Sequence, residues 1–148
     1  MSRRRAALLA LAVGVTTVVA GYGIAGARAG ASGPDPIGPG TVTVEVDVRY
    51  SRFALDDLRV RRGTLVRFVV RNHDPINHEF VVGDASVHAA HAHGSERTHP
   101  PVPGEVSVGA HDVGVTVYRF DRTGTVEYAC HLAGHVAYGM VGESTVVD

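Results

Sequence analysis

The chain has 148 residues, 45% hydrophobic and 20% charged, with 14 basic residues (all Arg), 15 acidic ones and a single Cys. That length bounds one domain, and one thiol excludes an internal disulfide. Residues 1–29 carry four Arg and no acid, so the remainder has a formal charge of −5, which excludes the basic face that a nucleic-acid partner requires.

The first residues form a basic cap, Arg3, Arg4 and Arg5, followed by an apolar run without charge until Arg28. This is the pattern of an export signal, with the small residues around Arg28 as a cleavage site. Residues 6–26 are also about long enough, at roughly 20 residues, to span a bilayer. Residues 1–29 are therefore read as a signal peptide or an N-terminal membrane anchor. The protein is expected at the cell surface, in the periplasm or secreted. Residues 30–40, GASGPDPIGPG, form a Pro/Gly linker, and residues 41–148 form the folded domain.

Within that domain, residues 41–50 alternate Val42, Val44, Val46 and Val48 with polar partners, the period of a strand with one buried face. Residues 53–60 read as another strand, ended by a turn at Arg62-Gly63. Residues 64–71 and 78–82 are β-prone runs, and a short strand is expected at 106–108. Residues 113–120 and 125–130 follow, separated by a turn at 121–124, and the chain closes on a strand at 141–147. Short strands with turn signals and no convincing amphipathic helix predict an all-β sandwich of two sheets.

The chemistry concentrates in residues 128–140, YACHLAGHVAYGM, which space Cys130, His135 and Met140 as C-x4-H-x4-M. A thiolate, an imidazole and a thioether on one loop make a soft ligand set suited to copper, and one more imidazole completes a His2Cys plane with a weak axial Met. His78, in NHDPINHEF, supplies it from far away in sequence. An unpaired Cys in an exported protein is prone to oxidation, and metal ligation protects it. His131, directly after Cys130, competes as a ligand but points to the opposite side of the strand. His73 lies in a turn-rich stretch and is expected to be solvated. A second histidine group, His88, His91, His93 and His99, with His111 downstream, is read as a solvated loop, or else as a weak secondary metal loop that collects copper.

On these two motifs, the chain resembles the blue copper proteins (cupredoxins) of the plastocyanin and azurin kind, over roughly residues 41–148. The resemblance implies a Greek-key sandwich of about seven to eight strands, holding one type 1 copper between Cu(I) and Cu(II) through His78, Cys130, His135 and Met140. It also implies a surface-lying His135, with Ala133, Val136, Ala137 and Tyr138 as a docking surface. Glu79 departs from the Asn that many members carry after the first His, so the bond that Asn often makes between the two ligand loops is not carried over. The expected function is a single-electron carrier between a redox donor and acceptor protein. The chain is read as a monomer without catalytic activity, touching a membrane only through its N-terminal segment if that is uncleaved. The alternative is copper binding and delivery in the exported compartment.

Overall fold

The structure is a computed structural model, and it describes residues 33–55, 57–93 and 100–148. The expected signal or anchor segment and His99 lie outside the described residues. Nine strands and one helix follow in order: β1 (Thr41–Val48), β2 (Phe53–Ala54), β3 (Arg59–Arg61), β4 (Thr64–Asn72), β5 (His78–Gly83), α1 (Ala85–His93), β6 (Glu105–Val108), β7 (Val113–Phe120), β8 (Gly124–Ala129) and β9 (Val141–Val147). They build a four-stranded sheet, β2-β1-β4-β7, and a five-stranded sheet, β3-β9-β8-β5-β6. The chain passes between the sheets after β2, β3, β4, β6 and β7, the interleaving of a Greek-key sandwich. The all-β expectation holds.

Two details correct the sequence reading. The single strand expected over residues 53–60 is two short edge strands in different sheets. β2 pairs antiparallel with β1, and β3 pairs parallel with β9. Its apolar residues therefore serve both sheets and do not alternate about one. The linker is also not free of the core, because Ile37 bridges Val60 in parallel and packs partly buried against the hydrophobic cluster.

Alternation in β1 buries Val46 and Val48 completely. They lie beside Val66, Phe68 and Val70 of the neighbouring β4 and join Phe80 and Val82 from β5 of the other sheet in one continuous core. Aromatic rings tie the sheets together. Phe80 sits 5.0 Å from Phe68 and 5.7 Å from Tyr128 between ring centroids, and Phe53 meets Phe80 edge-on at 5.3 Å. Burying each such side chain contributes about 1.5–3 kcal/mol. The same core includes Cys130 and Met140 at one end, so the packing that stabilises the sandwich also fixes the loop that carries them.

Candidate metal centre

β5 begins at His78 and β8 ends at Ala129, so the two strands deliver His78 and Cys130 to the same end of the five-stranded sheet. Residues 131–139 then make a compact turn. His135 N–H donates to the Leu132 carbonyl at 2.9 Å and Tyr138 N–H to that of Gly134 at 3.0 Å. Gly134 and Gly139 hold φ at 86°, a left-handed conformation that glycine adopts without a Cβ penalty. Met140 closes the loop from both sides. Its N–H donates to the His135 carbonyl and its own carbonyl accepts from Cys130 N–H, both at 3.0 Å.

His78, Cys130 and His135 bring their ligand atoms within 4.8 Å of one another. The Cys130 Sγ is 3.1 Å from His135 Nδ1, which is 3.3 Å from His78 Nδ1. His78, Cys130 and Met140 are buried, while His135 is half-buried between exposed neighbours. This is the surface position that the resemblance implied. Met140 lies fully buried in the same cluster as Cys130.

Asp74 sets the orientation of His78, a role that the sequence reading did not find. Its Oδ2 lies 3.0 Å from His78 Nε2, which assigns the proton to Nε2 and leaves the Nδ1 lone pair facing His135 and Cys130. A carboxylate is thus the partner of that nitrogen. Asp74 is held in turn by N–H groups of Tyr50 at 2.7 Å and Ser51 at 2.8 Å. Burial pushes its carboxyl pKa up, but those two donors and His78 outweigh burial and leave it below 3.8. A carboxylate behind a ligating imidazole fixes its tautomer and raises its basicity. The signal was an Asp four residues before His78 in a turn.

Glu79 restores the link between the ligand loops that its identity had put aside. Its Oε1 accepts from His131 N–H at 2.6 Å, and its own N–H reaches Cys130 Sγ at 3.5 Å. Burial nevertheless pushes the Cys130 thiol up to about 11, against the N–H donors of Glu79 and Leu132. The thiol therefore keeps its proton at neutral pH until a cation displaces it, so metal binding there releases a proton. Burial, then the nearby His78, lowers the pKa of His135 below 6.5. Two imidazoles facing a sulfur fit a soft, thiolate-binding metal ion.

The second histidine group is not a loop over its described part. Residues 85–93 form α1, capped by Asp84, whose Oδ1 accepts from the N–H of Ser86 at 2.9 Å and of Val87 at 3.2 Å. An Asp cap followed by Ala85, Ala89, Ala90 and Ala92 is a helix signal in cap and propensity, although no apolar stripe accompanies it. His88 is buried, His91 partly so and His93 exposed. The histidines do not act as one set. His88 and His91 turn towards His131. His73 is exposed, as expected, and bonds Asp47 at 2.5 Å.

No protein-family model matches the chain. The copper-resistant cuproprotein CopI of Rubrivivax gelatinosus is 41% identical over 99 residues, covering 64% of this chain and 59% of that protein. The match thus spans about three fifths of that relative's length. CopI of Pseudomonas aeruginosa is 27% identical over 136 residues, covering 70% of this chain and 75% of that protein. Among solved structures, auracyanin B aligns with a TM-score of 0.58 and 27% identity, covering 72% of this chain and 88% of that one. The chain has a cupredoxin fold and resembles the blue copper proteins. An auracyanin from Roseiflexus castenholzii aligns with a TM-score of 0.59 at 19% identity, over 72% of this chain and 97% of that one, a likeness of fold.

Proposed function

We propose that this chain is an exported copper protein in which His78, Cys130, His135 and Met140 hold one copper ion for single-electron transfer. The observation that carries the reading is the convergence of His78 Nδ1, His135 Nδ1 and Cys130 Sγ, beside a buried Met140. Bound copper supplies one-electron exchange between Cu(I) and Cu(II). The protein's part is to hold the donors still. His78 is pinned by Asp74, and the backbone of Met140 braces both Cys130 and His135, so neither oxidation state has to rebuild the loop. Exposed Val136 and Tyr138, with Ala133 and Ala137, surround half-buried His135 and give a redox partner an apolar surface close to the metal. The protein works as a monomer outside the cytoplasm, with membrane contact only through residues 6–26 where that segment is retained.

Visible absorption and EPR after Cu(II) addition, with a Cys130→Ser variant alongside, test the assignment. Intense thiolate-to-copper charge transfer with narrow hyperfine splitting, lost in the variant, is the expected result. A pale spectrum that the variant leaves unchanged overturns it. A second reading, copper carriage and delivery, is favoured by the relatives, which are copper-resistant cuproproteins. Slow copper exchange with fast electron self-exchange supports the carrier, and ready transfer of copper to an acceptor supports delivery.

A further inference from the structure

Strand alternation sends the residue after Cys130 to the other face of the five-stranded sheet. Inward-facing Val126, Tyr128 and Cys130 join the core, so Glu127, Ala129 and His131 face outward. The register extends this outer face to Val81 and Glu105, since Val81 pairs with both Ala129 and Glu105. α1 packs on this face so closely that a Cβ on Gly83 would stand 3.0 Å from Val87. His88 and His91, three residues apart, lie on one side of the helix and meet His131.

His88 Nδ1 is 2.9 Å from His131 Nε2, and the His91 and His131 rings are 5.9 Å apart between centroids. The outward nitrogens are already committed. His88 Nε2 lies 3.2 Å from the Glu127 carbonyl and His91 Nδ1 3.0 Å from the Val87 carbonyl. His88 Nε2 carries the proton in this bonding pattern, so His88 Nδ1 presents its lone pair towards His131. An imidazole held this way by a backbone carbonyl, as His88 is, has the orientation of a metal ligand. Carboxylates rim the group, with Glu127 Oε1 3.6 Å from His88 Nδ1 and Glu105 Oε2 3.3 Å from His91 Nε2.

We propose that His88, His91 and His131 form a second metal site on the outer face of the sheet, which takes a divalent transition-metal ion, Cu(II) foremost. His88 and His131 already converge, and His91 completes the set by turning about its side-chain bonds. Three imidazoles and nearby carboxylates, with no sulfur, select a divalent ion of borderline hardness, and Cu(II) heads the affinity order for such donors. This site lacks the thiolate of the first centre, although its ligand His131 is the next residue after Cys130. It replaces the expectation of a copper-collecting loop with a structured site that does not use His93.

The test is copper counting and EPR on the full chain, freed of metal and then given excess Cu(II) and desalted. Wild type is expected to retain two coppers per chain, one with thiolate charge transfer and one with ordinary, widely split Cu(II) hyperfine structure. His91→Ala suits a helix, and His131→Gln keeps a side chain of similar reach. Each is expected to lose the ordinary component while retaining the charge-transfer band. In Cys130→Ser the ordinary component should survive. Retention of one copper by wild type overturns the proposal. So does persistence of the ordinary component in both histidine variants, which would place it on other histidines, or loss of both components together in folded His91→Ala.

Discussion

Removing the Glu79 side chain should loosen the metal loop at a definable energetic cost. The β5–β8 register ends at the Val81–Ala129 pair, and beyond it the side chain of buried Glu79 supplies the acceptor for His131 N–H at 2.6 Å. A hydrogen bond to a charged group contributes about 1.5–3 kcal/mol, and a buried donor left unmade costs about 1–3 kcal/mol. Glu79→Ala is therefore expected to destabilise the metal-free protein by about 2–3 kcal/mol. Glu79→Gln keeps an acceptor oxygen at the strength of a neutral bond, about 0.5–1.5 kcal/mol, and should lose about half as much. With a urea slope of about 1–3 kcal/mol/M, the Ala variant's midpoint should fall by roughly 1 M, with Gln between it and wild type. Far-UV circular dichroism in urea gives the midpoints. Copper loss to a chelator from the loaded protein should be fastest in the Ala variant, because His131 is bonded directly to Cys130. An Ala midpoint equal to wild type would refute the reasoning, as would a Gln variant no more stable than Ala.

Two further effects follow from the packing and the carboxylates. Gly142→Ala would drive a Cβ into the Tyr128 phenol, whose hydroxyl donates to the Leu55 carbonyl at 2.8 Å. It should cost about 1–3 kcal/mol of overpacking, and an unchanged urea midpoint would contradict that fit. Asp47, Asp74 and Asp84 all have carboxyl pKa values lowered from 3.8. The causes are the bond from His73 for Asp47, the donors that outweigh burial for Asp74, and the Ser86 and Val87 donors for Asp84. Because the folded values are depressed, their stabilisation is present above the unfolded value of 3.8 and is lost as pH falls through the lower folded values. The melting temperature of the metal-free protein should therefore fall as pH drops from about 4 to about 2, and a rise over that interval would count against the three contacts.

The sandwich and three converging donors were legible because they are written in local patterns. Alternating valines mark one buried face, and Cys130, His135 and Met140 share a loop whose length is fixed by two strand ends. Four features were harder to read. Residues 53–60 carry enough apolar side chains for a strand, but which sheet each half joins depends on distant partners, Val48 for Phe53 and Val146 for Val60. α1 carries an Asp cap and a run of Ala but no apolar stripe, and its histidines drew the eye to loop chemistry. Asp74 and Glu79 act through bonds to His78 and His131. A lone carboxylate in sequence does not say which imidazole or amide it will meet after the chain has folded.

The sequence did predict that His131 would turn away from Cys130, and the structure gives that parity a consequence. A one-residue step along a strand reverses the side chain. The five-stranded sheet therefore separates Cys130, in the core beside His78 and His135, from His131, under α1 beside His88 and His91. Glu79 stands at the division, its N–H directed to the Cys130 sulfur and its carboxylate to the His131 amide. An Asn at this position would be one methylene shorter and uncharged, whereas the Glu79 carboxylate acts on Cys130 and His135. The effects of Glu79→Gln on the two EPR components, measured separately, would show whether that charge acts on the thiolate centre, on the outer histidines, or on both.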